Sequence, residues 1–255
     1  MPRCALLIEY DGTEYAGWQR QQNATTVQEV LENAVAKITG THDASVIGSG
    51  RTDSGVHAFG QVAHTDIPHS SSIPEHQLPK AFNAVLPRDV RVRAAKLVDA
   101  SFHARFQAKR REYRYTVCRE YSVFRRLYSW HLKHTFSTDA MRSAAEIFCG
   151  QYDFTTFSKH NPSTGNYVCH VQEAQWSEAE SGVWHFHIAA DRFVYGMVRC
   201  IVGAMMDAAL GKRSIEDIQE ALERKDRLFS SPLAPPEGLV LWRVSYDNDP
   251  FDGVS

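Results

Sequence analysis

The spacing of apolar side chains along the chain predicts a series of helices and strands. In TTVQEVLENAVAKITG a period near 3.6 residues places the apolar side chains from Val27 to Ile38 on one stripe, which predicts a helix closed by Gly40. Thr26 and Glu29 have the spacing of a capping box at its start. The same period predicts further helices in LPKAFNAVLPRD, STDAMRSAAEIFCG, YGMVRCIVGAMMDAALG and SIEDIQEALER.

Other segments are apolar runs or alternate with a period of two, as strands do. A turn pair at Ser181-Gly182 joins two of them into a predicted hairpin. The predicted strands are RCALLIEYDG, ASVIGSG, GQVAHTDI, VRVRAAKLV, REYRYTVC, HVQEAQWSE, VWHFHIAAD and GLVLWRVSY.

Strands and helices are mixed in both halves of the chain, without strict β-α-β alternation. This order favours an α+β fold of two similar halves, each an antiparallel sheet with helices packed on one face. No linker-like stretch separates the halves. We place an N-terminal half at residues 1–104 and a C-terminal half at residues 105–255.

Composition narrows the functional class only slightly. The chain has 255 residues and a formal net charge of −2, so global charge does not indicate a nucleic-acid partner. Its five cysteines form no C-x-x-C pair and its twelve histidines lack ligand spacing, so we expect neither a disulfide framework nor a metal site. The N-terminus lacks a secretory pattern and no apolar stretch reaches membrane-spanning length, which predicts a cytoplasmic protein.

Local charge is more informative. The segment HARFQAKRREYRYTVCREYSVFRR, from His103 to Arg126, is rich in Arg and Lys, with Tyr and Phe interleaved. Cations contact phosphates and aromatic rings stack on unpaired bases, so the segment fits RNA binding. A solvated strand face followed by a basic loop is the alternative interpretation.

Two charged residues, Asp53 and Arg199, have two interpretations each. Asp53, in the glycine-rich stretch SGRTDSGVHAFGQVAH, is either a turn aspartate that bonds its own backbone or a carboxylate presented to a cleft beside Arg51. Arg199 is the only formal charge from Phe193 to Met206, so it either reaches solvent or pairs with a carboxylate and keeps it ionised.

Tyr113 alternates with Tyr115 on a predicted strand. Its ring belongs either to the core or to a base-stacking surface with a hydroxyl at its tip.

Several motifs, in this order, resemble the tRNA pseudouridine synthase A family. They run from about Cys4 to Tyr246, nearly the whole chain. The core G-R-T-D-x-G-V-H is the most specific. The motifs are YDGTEYAGWQRQ, TTVQEVLENAV, GSGRTDSGVHAFGQVAH, FNAVLP, FHARFQAKRREYRY, FVYGMVRCIVGAMM and APPEGLVLW.

The resemblance implies an isomerase that converts uridine to pseudouridine at positions 38, 39 and 40 of the tRNA anticodon stem-loop. It implies no cofactor, no metal, a homodimer, and a positively charged active-site cleft between two α+β halves. Asp53 corresponds to the catalytic nucleophile, Arg199 to its ion-pair partner, and Tyr113 to the ring that stacks on the base and assists proton transfer. The expected substrate-binding residues are Arg51, His57, Arg105, Lys109, Arg110, Arg111, Tyr113 and Arg114.

The chain departs from the family pattern at two places. Cys200 stands where the family often has Asn, and Tyr195-Gly196 stands where many members have His. Both concern the packing of the C-terminal helix. Three other functions stay open: a related synthase with other uridine targets, a catalytically idle RNA-binding protein, and an aspartate-dependent hydrolase that would need a second acid.

Overall fold

Strands and helices alternate irregularly along the computed structural model, which describes residues 1–41, 43–68 and 73–254. The strands are β1 Arg3–Tyr10, β2 Ile47–Gly48, β3 His57–Asp66, β4 Val90–Val98, β5 Ala108–Cys118, β6 Trp130–His131, β7 Gly150–Asp153, β8 Val168–Glu180, β9 Val183–Ala190 and β10 Leu239–Tyr246. The α-helices are α1 Val27–Thr39, α2 Leu78–Asn83, α3 Thr138–Glu146, α4 Met197–Ala209 and α5 Ile215–Arg224. Short 3-10 helices span Glu75–Gln77, Arg227–Phe229 and Pro236–Gly238. The fold is α+β with mostly antiparallel sheet, as predicted.

The chain forms two units, residues 1–109 with 241–255 and residues 110–240. In the first unit β1 lies between two antiparallel neighbours, β3 and β4, and β10 follows β3 in the strand order β4-β1-β3-β10. The last strand therefore belongs to the first unit, whereas the sequence analysis assigned it to the second half. Its neighbour β3 is far away in sequence, and local patterns carry no information on that pairing.

The helix predicted from Val27 to Ile38 is confirmed as α1. The Thr26 hydroxyl accepts a hydrogen bond from the Glu29 N–H at 3.4 Å, and Gly40 ends α1 with a left-handed φ of 71°. The helix predicted from Leu78 is shorter than its pattern. It stops at Asn83, whose amide is bound to the backbone of Val92 in β4.

The second unit has the strand order β5-β9-β8-β7, in which each neighbouring pair is antiparallel, and β6 pairs with β5 in parallel. The predicted hairpin is confirmed as β8 and β9, with Gly182 at φ 75° in the turn. The helix α4 starts at Met197, not at Tyr195, because Gly196 has a left-handed φ of 71°. It is buried along most of its length, and a Cβ on Gly203 would lie 2.0 Å from the Pro232 carbonyl oxygen.

Candidate active site

The loop that carries Asp53 joins β2 to β3 in the first unit. Thr52 is buried, while Arg51 is exposed and Asp53 is half-buried. Arg51 and Asp53 are thus both more exposed than the residue between them. The Val56 N–H donates to the Asp53 carbonyl at 3.1 Å and closes a turn in which Gly55 has φ 77°.

A buried glutamine holds the beginning of this loop. The Ser49 hydroxyl donates to Gln61 Oε1 at 2.6 Å, and Gln61 Nε2 donates to the Gly50 carbonyl at 3.1 Å. The Ser49 N–H also donates to the carbonyl of Val62 at 2.7 Å. Because Gln61 is fully buried on β3, these bonds tie the loop to the sheet.

The residue before Asp53 is fixed from two directions. The hydroxyl groups of Tyr10 and Thr52 lie 2.8 Å apart, and both side chains are buried. The Trp18 N–H donates to the Thr52 carbonyl at 3.1 Å. Burial raises the pKa of the Tyr10 phenol, which therefore stays protonated as a neutral hydrogen-bonding group.

The residues after Asp53 bind a single carbonyl group. The Ser54 hydroxyl and the Gly55 N–H both donate to the Tyr15 carbonyl, at 3.2 and 3.3 Å. The Tyr15 hydroxyl donates in turn to Asp89 Oδ1 at 2.8 Å. Burial and the Asp89 carboxylate raise the pKa of Tyr15. The loop is thus connected to the turn that precedes β4.

Two glycines of YDGTEYAGWQRQ allow this segment to lie directly against the loop. A Cβ on Gly17, where φ is 94°, would lie 2.6 Å from the Thr52 carbonyl oxygen and 3.1 Å from the Asp53 carbonyl carbon. A Cβ on Gly12 would lie 2.0 Å from the carbonyl oxygen of Val56. The segment is therefore the support on which the Asp53 loop rests.

His57, predicted to bind substrate, lies inside the first unit with 3% of its surface exposed. Its Nδ1 accepts a hydrogen bond from the Gly12 N–H at 3.0 Å, and Asp11 Oδ1 lies 3.1 Å away. These contacts join the end of β1 to the start of β3 and so brace the loop.

The other two predicted catalytic residues belong to the second unit. Tyr113 lies on β5 with 8% of its surface exposed, and its ring meets the edge of Phe193 at a centroid distance of 5.1 Å. Tyr115, two residues further, is fully buried, and its hydroxyl donates to the Pro235 carbonyl at 2.8 Å. Both alternating tyrosines are buried, Tyr115 more completely than Tyr113.

Arg199 lies in the first turns of α4 and is half-buried. Its Nε donates to the Ala234 carbonyl at 2.8 Å, and the Ala234 N–H donates to the Arg199 carbonyl at 3.0 Å. This reciprocal pair ties the side chain and backbone of Arg199 to Ala234.

Three of the predicted substrate-binding cations, Arg110, Arg111 and Arg114, lie on β5 in the second unit. Arg110 is hydrogen-bonded to Glu112 at 3.1 Å and to Glu173 at 2.8 Å; against the opposing effect of burial, these carboxylates raise the pKa of Arg110. Arg111 donates to the Asp191 carbonyl at 2.7 Å. Burial lowers the pKa of Arg114.

The remaining two predicted contacts lie in the first unit. Lys109 pairs with Asp247 at 2.9 Å in an exposed ion pair. Arg105 lies over the Phe106 ring at 5.6 Å.

Sequence reasoning did not single out the residues that hold the loop. Tyr10, Tyr15, Gln61 and Asp89 act through hydrogen bonds between distant parts of the chain. The available signal was the glycine content of YDGTEYAGWQRQ, since glycine often marks a close approach of backbones.

A family model described as tRNA pseudouridine synthase matches residues 6–107 and 144–247, more than half of the chain. The chain belongs to the tRNA pseudouridine synthase family. The family match covers the Asp53 loop and the Arg199 helix, whereas the whole of β5, with Tyr113, lies between the two matched ranges.

Close relatives are members of the same family. The chain is 42% identical over 249 residues to tRNA pseudouridine synthase A of Bacillus subtilis, with 96% of this chain and 100% of the relative covered. It is 43% identical over 250 residues to tRNA pseudouridine synthase A of Anoxybacillus flavithermus, covering 97% of this chain and 100% of the relative.

A similarity to a chain in the crystal structure of a Cbf5-Nop10-Gar1 complex, at TM-score 0.37 and 13% identity, covers 94% of this chain and 49% of that one and is too weak to add to the argument.

Two further properties concern the described residues alone. None of their helices is long and apolar enough to cross a bilayer. Within the same ranges, no group of three or more His, Cys, Asp and Glu side chains is arranged to hold a metal ion.

Proposed function

We propose that this chain isomerises uridine to pseudouridine at positions 38, 39 and 40 of the tRNA anticodon stem-loop, with Asp53 as the catalytic carboxylate and without a cofactor. The observation that carries the proposal is the support of the Asp53 loop. The backbone on both sides of the half-buried Asp53 is held by hydrogen bonds to distant parts of the first unit. A turn aspartate with a purely local role does not need this support, whereas a reacting group does.

The reaction is an isomerisation and needs no electron carrier. The N1–C1′ bond breaks, the base turns over, and a C5–C1′ bond forms as the C5 proton leaves and N1 takes up a proton. Asp53 would act as a nucleophile, on the sugar or on the base, or it would remove a proton from the sugar. All three routes need an ionised carboxylate.

Arg199 is proposed as the cation that pairs with Asp53. An arginine beside a carboxylate favours the ionised form of that carboxylate. The contact between Arg199 Nε and the Ala234 carbonyl supports this role, because it orients the guanidinium.

Tyr113 is proposed to stack on the detached base and to assist removal of the C5 proton. Its ring is supported by Phe193 at a centroid distance of 5.1 Å. The target base must leave its stack, at a cost of a few kcal/mol, and an aromatic partner offsets part of that cost.

Arg51 is proposed to help hold the flipped nucleotide, and Arg105 and His57 to belong to the same substrate site. The cations proposed to contact phosphates of the tRNA backbone are Lys109, Arg110, Arg111 and Arg114. Arg110 would have to exchange its carboxylate partners for phosphates. Affinity for tRNA would then fall steeply as salt rises, since each phosphate contact releases counterions.

We also propose that the protein acts in the cytoplasm as a homodimer, with the Asp53 loop in an N-terminal half and Tyr113 and Arg199 in a C-terminal half. Sedimentation velocity at micromolar concentration tests the dimer. A single boundary at the monomer mass would contradict it.

The function is tested with tRNA transcripts that keep one uridine among positions 38, 39 and 40 and carry tritium at C5. Release of tritium from each of the three substrates is the expected result. Release from none of them, with tRNA still bound, would show an RNA-binding protein instead. Release only from uridines elsewhere in the tRNA would show a synthase with other targets.

A further inference from the structure

A surface groove in the first unit is lined by positively charged side chains, none of which belongs to the proposed catalytic or substrate-binding residues. It has a volume of about 520 Å³ and lies between α2 and β4, and we call it the α2–β4 groove. Its lining residues are Pro79, Lys80, Asn83, Ala84, Arg91, Val92 and Arg93.

Three of the lining side chains are cations, and the lining contains no acid. Glu9 on β1 lies 3.6 Å from Arg93 Nε and is also the cross-strand neighbour of Arg91. One partly exposed carboxylate thus faces two guanidinium groups, and Lys80 adds a third cation. The groove keeps an excess of positive charge, which fits an anionic ligand.

The polar group at the base of the groove is already used by the protein. Asn83 Nδ2 donates to the Val92 carbonyl at 2.8 Å, and the Val92 N–H donates to Asn83 Oδ1 at 2.9 Å. This pair fixes α2 against β4 and so sets the width of the groove. With its amide occupied, the groove offers charge but few groups that read base edges. Such a surface suits phosphates rather than bases.

Arg93 forms a rigid wall of the groove. Its Nη1 donates to the Phe59 carbonyl at 2.9 Å, and its guanidinium lies 4.0 Å over the Phe59 ring. Lys80 and Arg91 are exposed and can reach a ligand. They are therefore the two cations whose removal tests the groove with the least damage to the fold.

The groove is connected to the Asp53 loop within one unit. The turn between α2 and β4 contains Asp89, which binds the Tyr15 hydroxyl, and the Tyr15 carbonyl binds Ser54 and Gly55. The carbonyl of Asp89 also accepts from the Asp11 N–H at 2.9 Å. An RNA strand bound in the groove would be positioned by the same hydrogen bonds, through Asp89 and Tyr15, that hold the loop of the proposed catalytic carboxylate.

We propose that the α2–β4 groove binds the phosphate backbone of the tRNA substrate through Lys80 and Arg91, outside the nucleotide that reacts. This inference rests on the proposed function, since it takes tRNA as the substrate. It adds a contact that governs affinity and leaves the chemical step unchanged. A free phosphate ion has the same chemistry as one backbone phosphate, and the test separates the two.

The test uses Lys80→Gln, Arg91→Gln and the double variant, with Lys37→Gln on the exposed side of α1 as the matched control. The dissociation constant for unmodified tRNA is measured across a salt series, and kcat is measured at saturating tRNA. Each lost phosphate contact should reduce the slope of log Kd against log salt by about one. We expect weaker binding at low salt, an unchanged kcat, and no change in Lys37→Gln.

Three results would overturn the proposal that the groove binds tRNA phosphates. The first is an unchanged salt slope and Kd in the double variant. The second is an equal effect in Lys37→Gln, which would reflect net charge alone. The third is binding of inorganic phosphate, beyond that of chloride at equal ionic strength, that the double variant loses while its tRNA affinity and salt slope stay at the wild-type values. That result would show a small-anion site.

Turnover by the wild-type protein in the same assay distinguishes a failure of the groove proposal from a failure of the proposed function. If wild type releases tritium while the double variant binds normally, only the groove fails. If wild type binds tRNA without turnover, the proposed function fails.

Discussion

The phenol oxygen of Tyr10 lies 2.8 Å from the hydroxyl oxygen of Thr52, the residue immediately before Asp53. Tyr10 is the last residue of β1, and the β1–β3 register shifts between Ile8 and Tyr10. Bulges of this kind redirect a side chain next to a functional site. The bond connects the most central strand of the first unit with the residue that sets the backbone of the proposed catalytic aspartate.

Tyr10→Phe should therefore reduce kcat about tenfold or more while tRNA affinity stays unchanged, because a small displacement of a reacting group is costly. It should also lower the free energy of unfolding by about 1–3 kcal/mol, since the buried Thr52 hydroxyl loses its partner. Single-turnover rates and urea unfolding measure the two effects.

Tyr246→Phe is the matched control, because the Tyr246 hydroxyl donates to the Ala104 carbonyl at 2.7 Å in the same unit. It should lose stability but keep kcat. Equal losses of kcat in the two variants would show that the Tyr10–Thr52 bond acts on stability alone.

Gly17→Ala should reduce kcat about a hundredfold, since a methyl group at this position would push on the backbone of Thr52 and Asp53. Gly40→Ala has the same conformational strain, at φ 71°, but no atom within 4 Å of the added Cβ. It should cost only about 1–2 kcal/mol of stability. If the two variants have the same kcat, the close approach of Gly17 does not position the loop.

Arg199→Met should reduce kcat about a hundredfold or more with little change in tRNA affinity, because it removes the proposed partner of Asp53. Arg213 is a suitable control, since its guanidinium also donates to a backbone carbonyl, that of Phe229, at 2.9 Å. Arg213→Met should leave kcat unchanged. Parallel losses of kcat and affinity in Arg199→Met would instead identify Arg199 as a phosphate contact or a residue required for folding.

The stability of the first unit should depend on pH through His64. Burial, with the positive charge of Arg3 and His103, lowers the pKa of His64 to about 4. The unfolded chain, with a histidine pKa near 6.5, binds a proton more readily than the folded one, so stability decreases as pH falls from about 6.5 to about 4. The full loss is about 3 kcal/mol.

His64→Gln should reduce this loss, since Gln keeps an acceptor for the Ala104 N–H, now 3.2 Å from His64 Nδ1, and does not titrate. Urea unfolding of both proteins at pH 7 and pH 5 measures the difference. The exposed His170→Gln serves as control. The same pH dependence in wild type and His64→Gln would exclude His64 as its source.

The sequence predicts most of the regular elements because each has a local cause. The stripe from Val27 to Ile38, the glycine at position 40 and the turn at Gly182 act within a few residues, and the structure confirms α1 and the β8–β9 hairpin.

The support of the loop could not be predicted in the same way. Tyr15 meets Asp89 across 74 positions of the chain, and Tyr10 meets Thr52 across 42. Neither pair has a local signature, because each bond exists only after the strands have paired. The same holds for β10, whose place beside β3 depends on tertiary contacts.

The central claim is that the Asp53 carboxylate performs the reaction. The direct test compares tritium release from C5-labelled tRNA by wild type and Asp53→Asn, with binding measured for both and the exposed Asp99→Asn as control. Release by wild type and Asp99→Asn but not by Asp53→Asn, with equal tRNA affinity, is the predicted result. Release by Asp53→Asn at the wild-type rate would contradict the claim, and Asp53 would then be no more than a residue of the turn.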